Sequence, residues 1–327
     1  MHILVLGAAG MVGRKLVDRL LSDGRLGKTD ITRMTLQDVV PPAKPNTSIP
    51  VETVTCDVSE QSAVVKLVAG KPDVIFHLAA IVSGEAEADF DKGYRINLDG
   101  TRYLIDAIRA IGGNYKPRVV FTSSIAVFGA PFPEKIGDEF FNTPLTSYGT
   151  QKTIGELLIS DYTRKGLLDG VSIRLPTICV RPGLPNKAAS GFFSNIIREP
   201  LAGKEAVLPV SEDVRHWHAS PRSAVGFLIH AATMDTNIIG PRRALSMPGL
   251  SATVGEQIAA LTRVAGANVT SRIKREPDQT IMGIVAGWPR DFSTERALKL
   301  GFTTAEKTFD DIIRIHIEDE LGGKFVN

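Results

Sequence analysis

The sequence predicts an α/β protein: a doubly wound parallel sheet with a smaller mixed α/β C-terminal domain. Three observations lead there. Short apolar runs without alternation recur through the first half of the chain, as strands buried on both faces do. Segments of helical period separate them, and such alternation builds a parallel sheet through right-handed crossovers. The first run passes directly into a glycine turn and a helix.

In chain order, residues 3–6 (Ile-Leu-Val-Leu) read as the first strand, followed by Met11, Val12, Leu16, Val17, Leu20 and Leu21 at helical spacing. Ile31 to Leu36 and Val51 to Thr55 read as the second and third strands, and Pro41 to Pro50, with its four prolines, as a surface loop. Val64 to Val68 fits a helix face. The run from Asp73 to Leu78 is a fourth strand opened by Pro72. Tyr94 to Ile111 is a helix stopped by Gly112 and Gly113. Arg118 to Thr122, Tyr148 to Tyr162 and Val171 to Leu175 complete the strand–helix–strand pattern.

Beyond Pro176 the pattern loosens. Pro182 to Pro209 is rich in Gly, Pro and Lys around one apolar run, Phe192 to Ile197. Ala224 to Ala232, Thr253 to Val264, Thr294 to Leu300 and Phe309 to Glu320 read as helices. Ala244 to Met247 reads as a short strand and Val269 to Lys274 as an exposed one. The expected organisation is a dinucleotide-binding domain over 1–180 to which 219–246 returns, and a substrate-binding domain over 181–218 and 247–327.

A chain of 327 residues hides about three quarters of its unfolded surface, so its core needs no disulfide staples. With 43% apolar and 23% charged residues it is neither disordered nor fibrous. Its 38 basic and 36 acidic residues leave +2, too balanced to live on nucleic-acid phosphates or anionic membranes. The two cysteines, Cys56 and Cys179, lack the spacing of a disulfide framework or a zinc site. His216 and His218 have no third ligand nearby, so no metal is expected. No apolar run approaches the ~20 residues of a membrane helix. Gly7 and Gly10 interrupt the N-terminal run, and Arg14 and Lys15 follow it, so a cytoplasmic N-terminus is expected.

Gly7, Gly10 and Gly13 form a G-x-x-G-x-x-G turn between strand and helix. Glycine permits close backbone approach, and the unpaired N–H groups and dipole of the helix start favour a pyrophosphate. Asp38, after the second strand, would accept both hydroxyls of an adenosine ribose and repel a 2′-phosphate, which favours NAD over NADP. Tyr148 and Lys152 stand at i and i+4 on a helix face. An ammonium there would lower the phenol pKa, and a phenolate can take an alcohol proton as hydride leaves the carbon. Thr122, Ser123 and Ser124 close the fifth strand at the sheet edge where such folds bind ligands.

These features in this order resemble the extended short-chain dehydrogenase/reductase family, also called the NAD-dependent epimerase/dehydratase family, a Rossmann-type fold. The resemblance rests on the glycine turn, Asp38, Cys56-Asp57-Val58, His77-Leu78-Ala79-Ala80, Asn97, Thr122-Ser123-Ser124, Tyr148-x-x-x-Lys152 and Arg174-Leu175-Pro176. The stretches 288–292 and 297–302 extend it to nearly the whole chain. It implies that Gly7, Gly10 and Met11 wrap the pyrophosphate of NAD, with Gly13 completing the turn. Asp38 would bind the adenosine ribose, Asp57 and Val58 flank the adenine, and Leu78, Ala79 and Ala80 line the floor. Asn97 would brace the site from its helix, and Pro176 to Ile178 cover the nicotinamide. Ser124 is implied as the catalytic hydroxyl, Tyr148 as the acid/base, and Lys152 as the residue that holds the nicotinamide ribose and tunes the tyrosine. The helices over 94–111 and 148–162 resemble that family's dimer bundle, which implies a homodimer.

Ile125 and Ala126 follow Ser124 where family dehydratases carry an acidic pair, which disfavours dehydration. The stretch Arg215 to Arg222 keeps an arginine but lacks the acidic residues of nucleotide-sugar enzymes. As a whole the chain is similar to sugar-acid oxidisers within the family. That implies a small sugar acid whose secondary alcohol, next to the carboxylate, becomes a 2-oxo acid as NAD is reduced; the alternative is a nucleotide-sugar 4-epimerase with retained NAD. A substrate carboxylate calls for a cation. Arg181, Lys187, Arg215 and Arg290 are candidates, with Asn186 and Ser83 as polar partners. Arg215 ranks first because it lies beside Trp217 and His218 in the segment that faces substrate in relatives.

Overall fold

The computed structural model describes residues 1–183 and 189–327. In chain order the strands of its two main sheets are β1 (His2–Leu6), β2 (Arg33–Asp38), β3 (Val51–Thr55), β4 (Val74–His77), β5 (Arg118–Ser124), β6 (Asp169–Leu175), β7 (Thr177–Ile178), β8 (Arg215–Ala219), β9 (Ala244–Ser246) and β10 (Leu250–Thr253). The larger sheet has seven strands in the order β9-β6-β5-β4-β1-β2-β3. All its neighbours are parallel. β1 lies inside the sheet, and Ile3, Leu4 and Val5 are fully buried, which explains its unbroken apolar run. The chain winds outward from β1 to β3, then crosses to β4 on the other side of β1. That reversal opens a crevice at the C-terminal strand ends.

The larger helices are α1 (Met11–Asp23), α2 (Gln61–Ala69), α3 (Gly100–Ile111), α4 (Ser147–Arg164), α5 (Gly191–Leu201), α6 (Pro221–Thr233), α7 (Val254–Ala265) and α8 (Phe309–Leu321). One core joins Leu16 and Leu20 of α1 to Phe227 and Leu228 of α6 on one face of the sheet. A second joins Val64, Leu104 and Ile159 of α2, α3 and α4 on the other. A third lies among α5, α7 and α8, around Phe193, Leu261 and Ile312. The smaller sheet runs β10-β8-β7, with β8 antiparallel to β10 and parallel to β7. Among the described residues no helix is long and apolar enough to cross a membrane.

Three elements depart from the sequence reading. Pairing of β2 with β1 starts at Arg33, opposite His2, because the Ile31 amide is spent on the Gly24 carbonyl. Asp38 is therefore the last residue of the strand rather than the loop after it. The expected strand over 269–274 is a helical turn, Ala267–Thr270, then a short strand, Ile273–Arg275, parallel to Ala206–Leu208. Val269 is buried inside that turn, which mimics alternation. The helix expected from Tyr94 opens as a π-helical segment, Tyr94–Asp99, before α3.

Two glycines of the turn are dictated by the protein itself. Gly7 has φ +86°, and a Cβ there would lie 2.7 Å from the Ala79 nitrogen. A Cβ on Gly13 would lie 2.2 Å from the Gly7 carbonyl oxygen and 2.9 Å from Ala8 Cα. Gly10 differs: it is exposed, and its nearest such contact is at 3.4 Å. The first two therefore seat α1 on β1, and only the third leaves its space open to something else. Gly13→Ala is expected to destabilise the fold by about 1–3 kcal/mol, as over-packing against backbone does. A fall in the urea midpoint at unchanged m-value would show it.

Candidate active site

The turn and the ends of β1 and β2 form a cradle. Gly10 caps α1 without a side-chain hydrogen bond, so the helix start offers free N–H groups and the positive end of its dipole. Asp38 Oδ2 accepts from the Ala9 amide at 2.9 Å, and Oδ1 from Val39 at 2.7 Å. The carboxylate is thus pinned at the rim of the turn. Met11 opens α1 beside it. Asp57 Oδ1 accepts from the Ser59 amide at 2.8 Å, and Val58 is buried against Gly100. Ala79 is the backbone that Gly7 packs against. An open glycine, an uncapped helix start and an acidic residue at the strand tip fit an adenine dinucleotide. Asn97 stands where a brace is expected, in the π-helical segment before α3. Its Oδ1 accepts from the Ile81 amide at 2.9 Å, and its Nδ2 donates to Gln151 Oε1 at 2.8 Å. It is a strut under the segment after β4, with its polar atoms spent, rather than a cofactor ligand.

Beside the cradle lies a cleft of about 290 Å³. Leu78, Ala80 and Ser83 line it from the segment after β4, Ser124 from the end of β5, Tyr148 and Lys152 from α4, and Pro176, Ile178 and Arg181 from the segment after β6. His216 of β8 and Trp288 close it on the side of the smaller sheet. Ser124 Oγ accepts from the Ala126 amide at 3.1 Å and caps a short 3₁₀ turn, Ile125–Val127. The chemistry expected of Ser124, Tyr148 and Lys152 therefore has one place to converge. Asn186 and Lys187 lie outside the described residues.

The electrostatics differ from the sequence reading. Lys152 is buried; its Nζ donates to the Thr122 carbonyl at 2.8 Å and lies 4.8 Å from the Phe121 ring centroid. Burial pushes its pKa down to about 7, against the opposing pull of Glu156. Burial pushes the Tyr148 phenol up, while the Arg181 guanidinium and the Ser124 hydroxyl pull it down. Arg181 thus adds a second cation beside the phenol, while Lys152 Nζ lies 5.6 Å from the Tyr148 ring centroid with its ammonium desolvated and bonded to a carbonyl.

Arg181 is fixed at its backbone. Its amide donates to Ser194 Oγ at 3.0 Å, and its carbonyl accepts from Arg198 at 2.7 Å. Its Nη2 donates to Ser190 Oγ at 3.3 Å, and among the described residues no carboxylate pairs with it. Arg215, ranked first from sequence, is not in the cleft. Successive residues of β8 face opposite sides, so His216 reaches the cleft and Arg215 turns away. Its guanidinium donates to the Ser251 carbonyl at 3.1 Å and pairs with Glu256 at 3.3 Å. Arg290 is exposed, with its carbonyl bound by the Ser251 hydroxyl.

Glu156 was not anticipated. It follows Lys152 by one helical turn, is buried, and accepts from Ser123 Oγ at 2.5 Å and Asn142 Nδ2 at 2.9 Å. Arg174 of β6 grips it with two bonds, at 2.9 and 2.7 Å. The available signal was the 148, 152, 156 spacing, which puts three polar side chains on one buried helix stripe.

Lys152 carries a sign-defined cost. Its folded pKa lies below its unfolded one, so the folded chain binds fewer protons between about pH 7 and 10.5, and stability rises with pH across that window. In cofactor-free protein, Lys152→Met is expected to raise the melting temperature at pH 6, and the gain is expected to shrink toward pH 10. Thermal scans of both proteins across that range check it.

Three comparisons bear on this geometry. Residues 3–222 match the NAD dependent epimerase/dehydratase family. The chain is 45% identical to D-erythronate dehydrogenase of Cupriavidus necator over 323 residues, 98% of each chain. It is 41% identical to D-erythronate dehydrogenase of Haemophilus influenzae over 321 residues, 98% of this chain and 100% of that one. It also superposes on the crystal structure of a nucleoside-diphosphate-sugar epimerase from Agrobacterium tumefaciens with a TM-score of 0.96 at 65% identity, covering 99% of this chain and 95% of that one.

Proposed function

This chain belongs to the NAD-dependent epimerase/dehydratase family and is an NAD-dependent oxidoreductase, and we propose that it oxidises a D-erythronate-like 2-hydroxy acid to the 2-oxo acid. The observation that carries this reading is one cleft holding Ser124, Tyr148, Lys152 and an Arg181 guanidinium with no carboxylate partner among the described residues. A cation beside a proton acceptor suits a substrate whose carboxylate adjoins its reacting carbinol.

Each residue then has a task. Gly10 and Met11 receive the pyrophosphate in the turn that Gly7 and Gly13 shape, Asp38 the adenosine ribose, and Leu78 to Ala80 the face of the dinucleotide. Asp57 and Val58 adjoin the adenine, and Pro176 and Ile178 cover the ring. When bound, NAD supplies the hydride acceptor. Ser124 donates to the carbinol oxygen and holds it at the Tyr148 oxygen. Tyr148, as phenolate, takes the carbinol proton. Arg181 binds the carboxylate in a charge-assisted pair, and Ser83 bonds the substrate from the opposite wall. Lys152, with a pKa near 7, protonates readily when an electron-rich partner replaces the Thr122 carbonyl.

The two D-erythronate dehydrogenases support this reading over the whole chain. The 65% identical epimerase structure favours a second one, a nucleotide-sugar 4-epimerase with retained NAD. Four- and five-carbon sugar acids offered with NAD and with NADP separate the two. NADH formation from a 2-hydroxy acid is expected. Absence of NADH with every acid, together with interconversion of nucleotide sugars, would support the epimerase instead. Tyr148→Phe is expected to abolish turnover while calorimetric NAD affinity stays near normal. Arg181→Met is expected to raise KM for the acid by about 10- to 100-fold, the worth of a charged hydrogen bond. Association through α3 and α4 into a homodimer belongs to the same reading; Leu157 of α4, 64% exposed, is an apolar residue such a contact would cover. Sedimentation of the wild type as a dimer and of Leu157→Arg as a monomer would check it.

A further inference from the structure

Thr177 and His216 face the cleft from β7 and β8, on the wall contributed by the smaller sheet. The His216 ring cannot readily turn. It lies parallel to Phe193, with centroids 5.2 Å apart and planes 3° apart, and Trp288 flanks it at 5.2 Å. Its Nδ1 is 2.8 Å from the Pro289 carbonyl oxygen. A carbonyl has no proton to give, so Nδ1 carries the hydrogen and donates. The ring is buried and neutral, since burial pushes its pKa down to about 4. Its Nε2 therefore presents a lone pair.

The Thr177 hydroxyl sits 2.7 Å from that Nε2. Two acceptors cannot bond each other, so Thr177 donates. A hydroxyl has a single hydrogen, and this one is committed to the ring. What Thr177 retains for the cleft is lone pairs alone. The chain Pro289–His216–Thr177 thus fixes the polarity of one point on the wall: it accepts and does not donate. A carboxylate, a ketone, an ether or a fluorine placed there would meet lone pairs. A hydroxyl would give its proton and be held.

We propose that Thr177 is a specificity-determining residue that accepts a hydrogen bond from a hydroxyl of the substrate other than the one oxidised. The inference rests on the sugar-acid reading above and extends it, because it divides the cleft by polarity. Arg181 selects the acid end, and Thr177 selects a retained hydroxyl along the chain. A site built to bond a hydroxyl rejects the analogue lacking it strongly, since its own polar groups are then left unpaired.

Binding is measured by calorimetry with Tyr148→Phe protein loaded with NAD, so that no turnover is needed. The probes are D-erythronate, its 3-deoxy and 4-deoxy forms, and the corresponding deoxyfluoro acids. One deoxy acid is expected to bind about 10-fold or more weakly than D-erythronate. Its fluoro counterpart, which cannot donate, is expected to bind no better. Adding Thr177→Val is expected to weaken D-erythronate to the level of that deoxy acid while leaving the deoxy acid's own affinity unchanged, and Thr177→Ser to restore it. Equal weakening of all acids by Thr177→Val, or a fluoro acid bound as tightly as D-erythronate, would overturn the proposal. Failure of the dehydrogenase reading looks different: the selectivity pattern would persist while Tyr148-intact enzyme made no NADH from any acid.

Discussion

A buried carboxylate holds the catalytic side of this molecule together. Glu156 and Arg174 are almost wholly removed from water, at 3% and 9% side-chain exposure. Two buried charges cost several kcal/mol each to desolvate, and only a complete set of partners offsets that. The set is complete here. Arg174 donates twice, Ser123 and Asn142 supply the remaining donors, and Arg174 also reaches Asn142 Oδ1 at 3.0 Å. One carboxylate thereby ties α4 to β5, to β6 and to the loop before α4. Because α4 is rigid, this anchor sets where Tyr148 and Lys152 stand, two turns and one turn away. Ser123 is the neighbour of Ser124, so the same anchor fixes the Ser124 hydroxyl.

The chemistry draws on burial as much as on residue type. Lys152 and Tyr148 are both pushed toward their neutral forms, which stores a readiness to exchange a proton rather than a fixed charge. His77 follows the same logic deeper in. Burial and the nearby Lys152 push it down to about 3, and its Nε2 bonds the Thr101 hydroxyl at 2.9 Å. The wall behind Lys152 is thus neutral at any ordinary pH, so the lysine's charge is answered by Glu156 and by what the cleft binds. Arg181 supplies the positive field at the other side of the phenol, from a backbone that α5 clamps through Ser194 and Arg198.

The cleft is shared between two packing systems with different contributions. The parallel sheet delivers the cradle, the hydroxyl and the tyrosine–lysine pair from its strand ends. The smaller sheet and α5 deliver the guanidinium, the histidine and the threonine. The two sets of side chains therefore rest on separate cores and can vary separately. This suits a family in which one reactive centre meets many substrates.

The sequence alone determined what is written in neighbouring residues. Buried strands show as unbroken apolar runs, α1 follows a glycine turn, and Tyr148 with Lys152 shares a helix face; each follows from a fixed local period. The glycine spacing could not say which glycines the protein requires. Packing divided them, since a Cβ on Gly7 or Gly13 would clash with backbone and one on Gly10 would not. Local pattern also failed where a side chain's partner lies far along the chain. Arg215 lost the cleft to His216 because strands alternate, and nothing in the residues around it states which face looks inward. The brace expected of Asn97 found its partner in Gln151, 54 positions away, which no local pattern names. Glu156 and Arg174, 18 apart, became one anchor only when α4 was laid on β6. That Arg181 joins Lys152 beside the phenol, and that burial opposes the charge on both Tyr148 and Lys152, was likewise a matter of distance and desolvation, and tertiary structure alone decides those.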